Sequence, residues 1–169
     1  MLLADTNILS TFAKINQLTL LFRLFGDERI GVVPAVYSEF QAGVNKGYVY
    51  LQAVTKLIQQ GRIDLAALTA QEVFEANALP TSFDAGERET LAVAKSRGCS
   101  ILTHEKQIKN WCKREQIVYW DLPGLLRALW RTNVISRELV RSLIDQIEAK
   151  DRIIFRNKEV ILQEEQVLT

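Results

Sequence analysis

Five short apolar runs, spaced by longer segments of helical periodicity, constrain this 169-residue chain more than any other feature. They are Leu2-Leu3-Ala4, Ile30 to Val33, Ile63-Asp64-Leu65, Cys99 to Thr103 and Ile117 to Trp120. Between them, apolar residues recur every three or four positions, as in Ile8, Leu9 and Phe12, then Leu18, Leu21, Phe22 and Phe25. Strands that alternate with helices predict an α/β fold with a mainly parallel sheet, covered by helices on both faces as a three-layer α/β/α sandwich. Punctuation agrees with this reading. Pro34 suits the first turn of a helix that runs to Gly43, and helices are expected at about 47–60, 70–78, 85–97, 104–114, 122–131 and 136–149.

Length and composition narrow the class. A chain of this size, 48% apolar and 24% charged, can bury one core without staples. No apolar run approaches the roughly 18–20 residues of a membrane span. The opening Met-Leu-Leu-Ala-Asp lacks a basic segment, so a signal peptide is not expected. Cys99 and Cys112 form no CxxC pair, which favours a reducing, cytoplasmic setting. A single histidine, His104, excludes multi-histidine metal sites and is expected on the surface beside Glu105. Net charge is +1, but residues 95–141 hold 10 Lys/Arg against 4 Asp/Glu. Such a segment attracts phosphate polymers if its charges share a face, and is otherwise ordinary solvated surface.

Acids fall where parallel sheets bind ligands, beyond the carboxyl ends of strands. Asp5 closes the first run, Glu105 follows Thr103, and Asp121 follows Trp120. On the 85–97 helix, Glu87 falls within about 40° of Leu91 on the apolar face, while Glu89 lies about 160° away, in solvent. Glu39 sits at the margin of the stripe through Val36 and Tyr37, and Glu105 is expected on the buried face of its helix, with Ile108 and Cys112. Each acid also has a plainer role. Asp84 and Glu87 have capping-box spacing, Asp5 and Asp121 can cap helices, and Glu39 can pair with an arginine. If Asp5, Glu39, Glu87 and Glu105 converge, their repulsion is roughly 4 kcal/mol per close pair and calls for a divalent cation. Oxygen-only ligands suit Mg²⁺ or Mn²⁺.

Four segments together resemble the PIN-domain family. Ala4-Asp5-Thr6-Asn7-Ile8-Leu9 is similar to its first motif, where the aspartate binds metal and the Thr and Asn support it. Val33-Pro34-Ala35-Val36-Tyr37-Ser38-Glu39-Phe40 resembles the segment carrying the second acid. Gly86-Glu87-Arg88-Glu89-Thr90-Leu91-Ala92-Val93-Ala94 resembles the third motif of a branch with Gly-Glu in place of Asp, and Ile101-Leu102-Thr103-His104-Glu105 resembles a strand ending in Thr-x-Asp. The third and fourth acids are thus glutamates, a departure from the commoner pattern. The resemblance implies a PIN-like domain over residues 1–131, with 132–169 a helical extension packed on it. It implies metal-dependent cleavage of single-stranded RNA, with Asp5, Glu39, Glu87 and Glu105 catalytic. Asp5, Glu87 and Glu105 would hold Mg²⁺ (or Mn²⁺), with Thr6, Asn7 and Thr103 in support. It further implies a homodimer and, for the toxin of a toxin–antitoxin pair, a cognate antitoxin. The alternative is a catalytically inactive PIN-like binding or scaffold protein. A phosphatase using Asp5 is disfavoured by Asn7, where haloacid-dehalogenase-like enzymes place a second aspartate, and no Gly-rich phosphate loop is present.

Overall fold

The computed structural model describes residues 1–163; the end of the expected C-terminal extension, 164–169, lies outside the described residues. Five parallel strands form one sheet in the order β3-β2-β1-β4-β5. They are β1 (Leu2–Ala4), β2 (Ile30–Val32), β3 (Asp64–Leu65), β4 (Ser100–Leu102) and β5 (Tyr119–Trp120). β1 is central, with Leu3 in register with Gly31 on one side and Ile101 on the other. Both neighbours being strands, β1 is apolar throughout and wholly buried, as a central parallel strand requires.

Around the sheet lie α1 (Thr6–Lys14), α2 (Leu18–Phe25), α3 (Pro34–Asn45), α4 (Leu51–Gln59), α5 (Ala70–Ala78) and α6 (Ala85–Arg97). After β4 come α7 (Lys106–Glu115), α8 (Leu122–Arg131), α9 (Arg137–Asp151) and α10 (Lys158–Leu162). The chain leaves β1 towards β2 and β3, then returns past β1 to β4 and β5. Because such crossovers are right-handed, the two directions put their helices on opposite faces. The reversal happens at β1, and strand order of this kind opens a crevice at the carboxyl ends of β1 and β4. Phe12, Phe40, Leu21, Ile30 and Leu91 fill the core.

One expected helix is corrected. The 47–60 segment becomes helical only from Leu51, because Gly47 takes φ +93°, which ends the run from α3, and residues 48–50 make a turn. No helix among the described residues is long and apolar enough to cross a membrane.

Two polar ties fix the helices that carry the crevice. Glu72, on α5, is fully buried and accepts from Arg97 through both oxygens at 2.7 Å, and Arg97 also donates to the Ala67 carbonyl at 2.7 Å. The guanidinium holds the Glu72 carboxyl down to about 2, against the opposing effect of burial. This pair clamps the C-terminal end of α6 to α5. Asp151, at the end of α9, accepts from Thr11 and Lys14 and so ties α9 to α1. Replacing Arg97 by alanine strands a buried carboxylate, so Arg97→Ala is expected to destabilise the fold by about 3–5 kcal/mol at pH 7 in urea titration. A loss below about 1 kcal/mol would show that the clamp is dispensable.

Candidate active site

Asp5 is the pivot of the crevice. Its backbone N–H continues the central ladder to the Leu102 carbonyl at 3.0 Å, so the residue is fixed by the sheet. Its side chain caps α1, Oδ1 accepting from the Ile8 N–H at 2.9 Å. Oδ2 is buried and has no hydrogen-bond partner among the described residues. A buried carboxylate oxygen left in that state is costly unless something outside the protein meets it.

Carboxylates from α3, from the start of α6 and from the residue before α7 join Asp5. Asp5, Glu39, Asp84, Glu87 and Glu105 line one cavity of about 340 Å³, together with Thr6, Asn7, Val36 and Gly86. Among the described residues, no lysine or arginine lines it. Glu87 holds two positions at once. It completes the capping box of α6, Oε2 accepting from the Asp84 N–H at 2.9 Å while Asp84 Oδ1 accepts from the Glu87 N–H at 2.8 Å. The cap and the cavity are therefore one arrangement, and Asp84, which reads in sequence only as a cap, also lines the cavity.

Thr6 and Asn7 do not hold Asp5. Thr6 donates its hydroxyl to Glu39, and Asn7 donates its amide to Glu105. These first two residues of α1 thus tether the acids on either side of Asp5. Thr103 is fully buried at the end of β4, where its hydroxyl accepts from the Glu105 N–H at 3.1 Å. Glu105 itself departs from expectation. It precedes α7 as its N-cap residue and is exposed rather than set on the helix's buried face, and its carboxylate turns to Asn7 instead of capping.

Two further residues differ from the sequence reading. Glu89 is half-buried and engaged, not free in solvent: it crosses to α3 and accepts from the Ala35 N–H at 2.9 Å, satisfying a helix N-terminus that Pro34 opens. Helical phase placed it away from its own apolar face but could not register a second helix. His104 is half-buried, not on the surface, and its Nδ1 is buried without a partner among the described residues. Burial, with the charge of Lys109, lowers its basicity. Gly86, in sequence one residue of the third motif, is where the first turns of α3 and α6 meet. A Cβ there would stand 2.7 Å from Glu39 Oε1 and 3.0 Å from Val36 Cγ2, so any side chain would push the Glu39 carboxylate out of its present position.

The electrostatics follow from this crowding. Burial, with Glu105 adding to it, lifts the Asp5 carboxyl from 3.8 to about 6 against the hydrogen bonds it accepts. Burial likewise raises Glu39, with Asp84 and Glu89 adding, and Glu87, with Asp84, Glu105 and Glu39 adding. For Asp5 the folded value exceeds the unfolded one, so its contribution to stability is full below about pH 3.8 and disappears as pH rises through about 6. A lift of that size corresponds to about 3 kcal/mol at most. Asn caps helices as well as Asp does. Without divalent metal, Asp5→Asn is therefore expected to be more stable than the native chain at pH 7.5, and the two should converge near pH 4 in urea titration. An Asp5→Asn protein less stable at pH 7.5 would contradict this electrostatic account.

The chain matches the PIN-domain family DUF3368 over residues 1–164. Among solved structures it is similar to a chain of VapBC2 from Rickettsia felis, crystallised bound to a DNA fragment from their promoter, with TM-score 0.50 and 19% identity. The match covers 71% of this chain and 97% of that one, and at this identity it speaks for the fold. No curated protein matches in sequence. A five-stranded parallel sheet with its acidic crevice at the carboxyl end of β1, and a family match spanning nearly the whole length, lead to one conclusion: this chain belongs to the PIN-domain family.

Proposed function

We propose that this protein is a divalent-metal-dependent endoribonuclease that cleaves single-stranded RNA at the cavity around Asp5. The observation that carries the reading is the buried Oδ2 of Asp5, without a hydrogen-bond partner among the described residues and set among four other carboxylates, with no described lysine or arginine in the lining. The donor set is oxygen only, which fits a hard cation such as Mg²⁺ or Mn²⁺. Asp5, Glu87 and Glu105 would hold it. Among the described residues no three acidic, cysteine or histidine side chains are gathered closely enough to share one ion as they stand, so the glutamates would have to close on it. Held there, such a cation would supply Lewis acidity towards the phosphodiester and would lower the pKa of water.

The remaining roles belong to the chain. Asp5 cannot move, being fixed by β4 and by its cap, so it sets the position of the centre. Thr6 holds Glu39 and Asn7 holds Glu105, which orients both carboxylates before substrate arrives. Thr103 fixes the backbone from which Glu105 projects. The related fold in the VapBC2 complex supports reading the chain as the toxin of a toxin–antitoxin pair, held by a cognate antitoxin; that it acts as a homodimer in the cytoplasm rests on the PIN-family resemblance alone. A second reading, a PIN fold that binds RNA or protein without cleaving, is favoured by the ungathered acids and by glutamate at the third and fourth positions.

Purified protein incubated with mixed-sequence single-stranded RNA in EDTA, Mg²⁺ or Mn²⁺ separates the two. Cleavage is expected only with metal, and to fall at least about 100-fold in Asp5→Asn, the scale for removing one group that stabilises a transition-state charge. Equal RNA decay by the native and Asp5→Asn proteins, both folded, would move the assignment to the binding module.

A further inference from the structure

The ten basic residues between 95 and 141 do not share one face. Arg97 is consumed by buried Glu72, Lys95 pairs with Glu115 at 2.7 Å, Arg127 donates to the Val160 carbonyl and Arg141 pairs with Glu159. Arg131 and Arg137 gather over the Trp130 ring at the turn from α8 to α9. What remains lies on α7.

Lys106, Asn110 and Lys113 are all exposed and recur at intervals of four and three, so they form a single stripe along α7. Ile108 and Cys112, on the opposite side, are buried and fix which face looks outward. Lys106 and Lys113 make no ion pair or hydrogen bond among the described residues. Lys109 flanks the stripe but is engaged by Asp121 at 3.1 Å. At the far end Arg114 lies over the Trp111 ring, 3.9 Å from its centroid, while also meeting Glu115. A guanidinium laid on an indole is a flat cationic surface of the kind on which bases stack. Trp111 in turn packs edge-on against Phe83, at 5.3 Å and 87°, which fixes the loop leading into Asp84.

The position of this stripe matters more than its charge. α7 begins immediately after Glu105, which lines the acidic cavity. From Lys106 to Lys113 the helix advances about 10 Å, roughly three nucleotides of a stacked strand at about 3.4 Å each. Five carboxylates repel a polyanion, so a substrate strand needs compensating cations at the rim. Lys106 follows the cavity-lining Glu105 directly, and Lys113 continues the stripe about 10 Å further along α7.

Resting on the ribonuclease reading above, we infer that the outer face of α7 is the track along which single-stranded RNA leaves the cavity. Lys106 and Lys113 contact successive phosphates, and Arg114 on Trp111 offers the stacking surface at its end. The track acts in binding, not in the chemical step.

The test is fluorescence anisotropy of a fluorescein-labelled, mixed-sequence single-stranded RNA in EDTA, over a series of KCl concentrations. It compares the native protein, Lys106→Gln/Lys113→Gln and, as control, Lys46→Gln/Lys56→Gln, which changes exposed lysines elsewhere. Glutamine keeps the helix propensity, so all three should melt alike. Loss of two phosphate contacts should reduce the slope of log K against log salt by about 1.4 and weaken binding up to about 25-fold at 0.1 M salt, with the control unchanged. In Mn²⁺ the α7 variant should raise KM and keep kcat. An α7 variant that binds and cleaves like the native protein overturns the track and leaves the ribonuclease reading standing. A native protein that neither binds RNA in EDTA nor cleaves it in Mn²⁺ overturns both.

Discussion

Everything at the crevice depends on a single uncompensated carboxylate at the end of the central strand. Asp5 is held by backbone pairing to β4 and by its cap on α1, so it cannot turn away to solvent, and its second oxygen has no hydrogen-bond partner among the described residues, although the Thr103 hydroxyl and the His104 N–H lie near enough to the carboxylate to offset part of the cost of burial. A fold rarely keeps a buried charge in this condition for stability, since the same volume could hold an apolar residue at less cost. The lifted Asp5 carboxyl is the measure of that strain. Crowding by Glu39, Asp84, Glu87 and Glu105 adds repulsion that no described lysine or arginine in the lining offsets.

The surrounding structure serves to keep these acids together. Capping groups are used twice: Asp5 and the Asp84–Glu87 box start helices and line the cavity with the same side chains. Helix N-termini at the carboxyl edge of a parallel sheet favour negative charge, which lowers the cost of gathering it there. Gly86 lets α6 approach Glu39, Glu89 closes the start of α3, and Thr6 and Asn7 tie one glutamate on each side of Asp5. Behind α6, the Arg97–Glu72 pair and α5 make a rigid support.

Much of the fold was legible because strand and helix periods differ. The runs ending at Ala4, Val33 and Leu102–Thr103 could be placed from apolar content alone, and parallel pairing followed from the helices between them. What sequence could not supply was tertiary. Glu89 meets α3, a partner invisible to the phase of its own helix. Glu105 precedes α7 instead of lying within it, so helical phase did not apply, and Asn7 decides where its carboxylate goes. The helix expected from 47 began at Leu51 because a glycine at positive φ intervened, a backbone state that periodicity does not encode. The basic segment around 95–141 was visible as a count. Its division between salt bridges and the α7 stripe is set by tertiary contacts such as Arg97–Glu72 and Lys95–Glu115.

The most direct test of this account is crystallographic. Crystals of the native protein soaked in Mn²⁺ should show an anomalous difference peak within about 2.5 Å of Asp5 Oδ2, with Glu87 and Glu105 drawn towards it. The same soak of Asp5→Asn crystals should show no peak at that position. A native crystal at millimolar Mn²⁺ with no peak in the cavity, and Asp5 Oδ2 hydrogen-bonded to a protein donor instead, would contradict the account.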